Sequence, residues 1–223
     1  MPISKTVSSK FWRALGMVMV ALGFAAAANA QTYSFDTFLS GGGGGQDPQK
    51  QRLARQAGTF ICLAVSPGPE ANTVRFIIVS KIPQSRARIN TVAFDVGRHA
   101  GLFSSIAVTM ASPGVKGNVA PPQVHPFLRG MTPEFWVDVL HKGHMKPDGL
   151  SPGRLIAISA TLGAGKTITD VLSALNEGLN PTTGANGLRV GVIVLYLLGG
   201  PPPGVATIQD DGGFVTAAPT PAC

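Results

Sequence analysis

The chain has 223 residues, 44% of them hydrophobic and only 13% charged, with 28 glycines, 18 prolines and 18 basic against 11 acidic residues. That length accommodates one domain with a sizeable core. The basic residues are scattered rather than clustered on one element, which excludes a nucleic-acid footprint, and the carboxylates are too sparse to nominate an acid/base pair for glycoside hydrolysis.

The N-terminal stretch has the features of an export signal. Lys5, Lys10 and Arg13 form a positive n-region, Ala14 to Ala28 is apolar, and Ala28-Asn29-Ala30 gives the small-x-small pattern of a cleavage site before Gln31. The apolar run of fifteen residues is short of the roughly 20 needed to span a bilayer, so cleavage after Ala30 and no membrane span thereafter are expected. Three of the basic residues leave with the leader, which makes the mature excess fifteen against eleven, or +4. The expected location is periplasmic or secreted.

Residues 31–57 follow as a flexible leader, because the run Gly41 to Gly45 has high backbone entropy and nothing to bury. The domain proper is expected over 58–217. Thr59 to Ser66 and Thr73 to Ser80 are β-rich runs joined by Pro67-Gly68-Pro69, a hairpin signal. Ile89 to Val96 and Phe103 to Ala111 continue the strand pattern, and the proline- and glycine-rich 112–133 is expected as an irregular loop. Glu134 to Leu140 and Arg154 to Leu162 alternate by side.

One helix is predicted after them. Ile168, Val171, Leu172, Leu175 and Leu179 share a face at helical spacing, Thr167 is placed to cap it with Asp170 three residues on, and Asn180-Pro181 ends it. Leu188 to Leu198 is the longest apolar strand. A last pair, Val205 to Gln209 and Gly213 to Ala217, is expected around Asp210-Asp211-Gly212. Residues 218–223 remain as a tail. Roughly eight strands with regular turn signals indicate a mainly β fold, an antiparallel β-sandwich of jelly-roll or immunoglobulin-like type with one short helix. A lone helix cannot cover both faces of a parallel sheet.

Several motifs touch on chemistry. Ala160 to Thr167 ends in Gly165-Lys166-Thr167 between a strand and a helix, the context of a phosphate-binding loop. Its first glycine is replaced by Ala160, however, and no acid ends the following strand for Mg²⁺. The expectation is that glycines turn the chain and Thr167 caps the helix, with nucleotide binding as the alternative. His141, His144 and Met145 form a set suited to copper, but His99 and His125 are distant in sequence and Lys142 adds repulsion. A solvated loop is preferred over a periplasmic metal site. Asp210-Asp211-Gly212-Gly213 is read as a hairpin turn in preference to a calcium loop, which needs more oxygens. Cys62 and Cys223 allow a disulfide in an oxidising compartment, with a buried thiol and a free tail cysteine as the alternative. Trp136 sits on an alternating strand and is expected in the core rather than on a sugar-stacking platform. No nucleophile motif and no cofactor are indicated.

The second half of the chain is similar to a group of bacterial exported proteins that usually carry a C-terminal PEP-CTERM sorting signal. The resemblance rests on Ile89-Asn90-Thr91-Val92-Ala93-Phe94-Asp95, Gly101-Leu102-Phe103-Ser104-Ser105-Ile106, Asp170-Val171-Leu172-Ser173-Ala174-Leu175, Leu188-Arg189-Val190-Gly191 and Gly212-Gly213-Phe214-Val215, over about residues 59–217. It implies an exported, non-enzymatic β-sandwich that acts as a structural or interaction module at the envelope or in the extracellular matrix, with an envelope protein or a polysaccharide as partner. The chain ends Ala218-Pro219-Thr220-Pro221-Ala222-Cys223, without the sorting motif, so a soluble form is expected. Binding loops are expected over 112–133 and 141–153.

Overall fold

A computed structural model describes residues 30–39, 60–81, 87–121, 131–141, 149–179, 186–197 and 208–216. Ten strands lie in the order β5-β8-β3-β2-β1-β10-β9-β4-β7-β6, each antiparallel to its neighbours. In chain order they are β1 Gln31–Leu39, β2 Ile61–Pro67, β3 Thr73–Ser80, β4 Ala87–Asp95, β5 Phe103–Ala111, β6 Val115–Ala120, β7 Phe135–His141, β8 Leu155–Leu162, β9 Arg189–Leu197 and β10 Ile208–Thr216. Among the described residues one helix, α1, spans Ile168–Gly178 between β8 and β9.

The continuous ribbon doubles back on itself. Phe76 of β3 and Phe94 of β4 lie far apart in the strand order, yet their rings meet edge-on with centroids 5.1 Å apart. Phe76 also meets Phe103 at 5.8 Å, and Phe103 meets Phe135 at 6.2 Å. Two layers, β5-β8-β3-β2-β1 and β10-β9-β4-β7-β6, therefore face each other across one core, the sandwich that the alternating strands imply. Its pairings β1·β10, β3·β8 and β4·β7 wind an antiparallel ribbon in jelly-roll fashion. The core takes alternate residues from both layers: Ile61, Leu63 and Val65 of β2, Val74, Phe76 and Ile78 of β3, Val190 and Val192 of β9. Val171, Ala174 and Leu175 bring one stripe of α1 into the same cluster.

The tight β2–β3 hairpin follows from its sequence. Gly68 N–H donates to the Thr73 carbonyl at 2.8 Å, Thr73 Oγ1 donates to the Glu70 carbonyl at 2.7 Å, and Asn72 takes a left-handed φ of 60°, which asparagine tolerates.

Three expectations are corrected. Gln31–Leu39 is not part of a flexible leader: it is a strand hydrogen-bonded between β2 and β10. Tyr33 and Phe35 alternate into the core at 3% and 2% exposure, enough apolar burial to fix the segment despite the adjacent glycine run, which lies outside the described residues. The irregular loop over 112–133 contains β6, whose exposed Lys116, Asn118 and Val119 mask its periodicity while its backbone pairs with β7. The final hairpin is instead one strand: Asp210 and Asp211 pair with Leu195 and Val194 of β9, and Gly212 with Ile193. With β1 on one side and β9 on the other, ladder bonds hold the Asp-Asp-Gly-Gly segment extended where local propensity favours a turn.

Candidate functional site

The end of β8 and the start of α1 settle the geometry of the Gly-Lys-Thr segment. Ala160, Thr161 and Leu162 are ladder residues of β8, paired to β5, with Ala160 and Thr161 also paired to β3, so the loop shrinks to 163–167. Gly163 N–H donates to the Leu102 carbonyl at 3.0 Å, and Lys166 N–H donates to the Gly163 carbonyl at 3.0 Å. A side chain at Gly163 would place its Cβ 1.8 Å from the Gly101 carbonyl oxygen, so this glycine serves close backbone packing. Thr167 N–H donates to Asp170 Oδ2 at 2.7 Å, and Asp170 N–H returns a bond to Thr167 Oγ1 at 3.3 Å, a complete capping box. The Thr167 hydroxyl also donates to Asp170 Oδ2 at 2.8 Å. These bonds, led by the Thr167 hydroxyl and amide and aided by the charges of Lys166 and His99, hold the Asp170 carboxyl below its ordinary range. The position where a phosphate-binding loop directs amides at an anion is thus occupied by the chain's own carboxylate.

A charged cluster ties the other end of the helix to the sandwich. Asp95 closes β4 at 4% exposure. Its Oδ1 accepts from Gly97 N–H at 3.0 Å, and its Oδ2 from Thr132 N–H at 3.0 Å and from Arg189 Nη2, directly across the β4–β9 ladder. Beside it, Glu177 near the C-terminus of α1 holds Arg98 Nη2 at 2.7 Å through Oε1 and His99 Nε2 at 2.8 Å through Oε2. The Ala174 carbonyl accepts from Leu188 N–H at 2.8 Å, and Gly187 leaves room for that approach, since a Cβ there would fall 2.0 Å from Gly178 N. A histidine–carboxylate contact has the composition of a base pair. Here it forms one side of a brace between α1 and the β4–β5 loop, with Arg98 on the other side of the same carboxylate. Sequence reasoning passed over His99 as distant from the other histidines. Asp95 and Arg189 were visible only as separate strand-end residues, and pairing them required the register of β4 on β9.

The remaining sequence candidates are dispersed. His141 ends β7 with its backbone opposite Val115, while His144 and Met145 lie outside the described residues. Among the described residues no group of three or more histidine, cysteine, aspartate or glutamate side chains is placed to hold a metal. Cys62 sits on β2 at 6% exposure, and Cys223 lies outside the described residues. Trp136 is 3% exposed. It packs with Ala93, Met131 and Ile193 in a second apolar cluster on the outward side of β4, β7 and β9, and its Nε1 donates to Asp138 Oδ1 at 2.7 Å. Of the two expected binding loops, the described parts are largely framework: Leu150 is fully buried and bridges to Ile89.

The outward side of β3, β8 and β5 differs from the face that Trp136 helps to cover. Val74, Phe76, Ile156, Ile158 and Ile106 point into the core, which turns Thr73 and Arg75, Ser159 and Thr161, and Ser105 and Ala107 outward. Cross-strand pairing aligns Thr73, Thr161 and Ser105 in one row and Arg75, Ser159 and Ala107 in the next. Ser105 Oγ donates to Thr161 Oγ1 at 3.1 Å, and the hydroxyls of Thr109 and Ser159 bond at 3.2 Å. Thr109 joins the face through a bulge in β5 between Val108 and Met110. Ser105, Ala107, Thr109 and Thr161 are exposed. Among the described residues no helix is long and apolar enough to cross a membrane. No protein-family model, curated protein or solved structure matches the chain.

Proposed function

We propose that the chain is an exported, non-enzymatic β-sandwich that serves as a structural or interaction module at the cell envelope or in the extracellular matrix, as its resemblance to the PEP-CTERM-associated group implies. The observation that carries this reading is the employment of its reactive groups. Asp95, Glu177 and Asp170 are each engaged by framework partners, while Ser105, Thr109 and Thr161 on the outward side of β5 and β8 are exposed to solvent. That distribution suits recognition by surface rather than turnover in a site. The positive n-region, short apolar run and Ala28-Asn29-Ala30 support export, and an oxidising compartment would join Cys62 to Cys223.

The test is expression of the full chain in a Gram-negative host, followed by fractionation and intact-mass measurement with a thermal-shift scan against Mg·ATP. The expected species is periplasmic or released, begins at Gln31, is two hydrogens lighter than the reduced chain and is unmoved by Mg·ATP. An uncleaved cytoplasmic species, or one stabilised by Mg·ATP and no longer so in Lys166→Ala, overturns the reading.

A further inference from the structure

Among the described residues Arg75 is the one cation of the hydroxyl-bearing face, and its surroundings are unusual for a strand arginine. It stands mid-strand on β3, between Ser66 of β2 and Ser159 of β8 in the ladder. Its diagonal neighbours on the same side are Ala64, Ala157 and Thr161, and along β3 itself Thr73 and Ile77 share that side, so the adjacent positions carry no carboxylate. The buried Nε of Arg75 has no hydrogen-bond partner, and none of the ion pairs of the described residues includes it. By contrast, Arg98 and Arg189 are both paired with carboxylates. A desolvated guanidinium nitrogen without an acceptor is costly, and a planar fork is shaped to take both oxygens of a carboxylate.

We propose that this face, β3-β8-β5 outward, binds an acidic polysaccharide, with Arg75 pairing a uronate carboxylate and the exposed hydroxyls of Ser105, Thr109 and Thr161 meeting sugar hydroxyls. The inference rests on the reading of the protein as an exported interaction module and names its ligand. Three features favour a polyuronate. The hydroxyls recur from strand to strand at a spacing of roughly 5 Å, comparable to one pyranose residue, so successive sugars meet successive strands. Each hydroxyl in the pairs Ser105–Thr161 and Thr109–Ser159 uses only part of its capacity of one donor and two acceptors. The charge balance is also apt, since one guanidinium in a neutral field suits a ligand with one carboxylate among many hydroxyls. A phosphate, by contrast, would ask for several converging cations and amides.

The experiment is a binding titration of the full chain with alginate oligosaccharide, run beside the same oligosaccharide with its carboxylates reduced to alcohols. Arg75→Gln, Arg75→Lys and Thr161→Val serve as variants, with far-ultraviolet circular dichroism as the check on folding. Alginate should bind and the carboxyl-reduced sugar should bind at least tenfold more weakly. Arg75→Gln should lose about tenfold or more, the scale of one charge-assisted pair. Arg75→Lys should fall between, because it keeps the charge without the fork, and added salt should weaken the wild type more than Arg75→Gln. Equal affinity for the reduced sugar, unchanged binding in a folded Arg75→Gln, loss on Lys166→Ala instead, or no binding to alginate overturns the proposal. None of these outcomes touches the export and mass result, so the two readings fail separately.

Discussion

Replacing Asp95 with alanine tests the central polar joint of the fold. The carboxylate is 5% exposed and serves three donors: the amides of Gly97 and Thr132 and the guanidinium of Arg189, itself 13% exposed. Removing it takes away the carboxylate that Arg189 pairs with across the ladder, and breaking a buried pair in this way costs about 3–5 kcal/mol. Gly97 and Thr132 are exposed residues, so water can reach their amides and their loss adds little to that figure. For a domain of this size each kcal/mol lowers the melting temperature by about 2–4 °C, giving a fall of roughly 6–20 °C. Urea unfolding followed by fluorescence measures it directly, because buried Trp136 is the only tryptophan beyond the leader. Arg189→Met should cost less, since Asp95 keeps two N–H donors. The double variant should be less destabilised than the sum of the singles, as expected of residues that act on one another. A loss under about 1 kcal/mol for Asp95→Ala, set against the cost expected of a broken buried pair, or a larger loss for Arg189→Met, would falsify the assignment of this joint.

Three further outcomes follow from the helix cap and the core. Thr167→Ala should cost about 1 kcal/mol, the usual worth of an N-cap side chain. Because the Asp170 carboxyl is depressed in the fold, its contribution is present above the ordinary aspartate value of about 4 and fades as pH falls through the lower folded value. Asp170→Asn should therefore flatten the acid limb of the urea midpoint against pH, and an unchanged limb would show that the cap is not the source. Burial pushes the Tyr33 phenol up to about 12, so ultraviolet titration should show this tyrosine still neutral well past the ordinary value of about 10. The raised value means that its burial favours the fold below the ordinary value and ceases to do so as pH climbs through the folded one. Ionisation of Tyr33 near 10 in the folded protein would refute its placement.

Much of the local structure was legible from residues close together in the chain. Alternation in Thr73 to Ser80 fixes which side chains share a face, since a strand turns them to opposite sides at every step. The Thr167–Asp170 cap and the apolar spacing of α1 announce the helix for the same local reason. The capping reading of Gly163 to Thr167 agrees with the hydrogen bonds because both partners lie within four residues. Segments whose conformation is decided by distant partners were misread. β1 and β10 each need the other and a further strand, and Asp210-Asp211-Gly212-Gly213 favours a turn until the β9 ladder extends it. β6 carries few buried residues of its own and exists through its pairing with β7.

The strand periods, the helix with its cap and the antiparallel class could be read from the order of residues, because they follow from backbone sterics and neighbouring side chains. Which outward face is covered depends instead on how the strands are ordered in the fold. Trp136 and Arg75 both lie on the outward side of a strand, and both are compatible with period-two alternation. Met131 and Ile193 pack against the first, whereas the second stands between Ser66 and Ser159 of the neighbouring strands. That difference arises from strand order and from what lies over each face. Both are set by contacts between residues far apart in the chain, on which the spacing of neighbours carries no information.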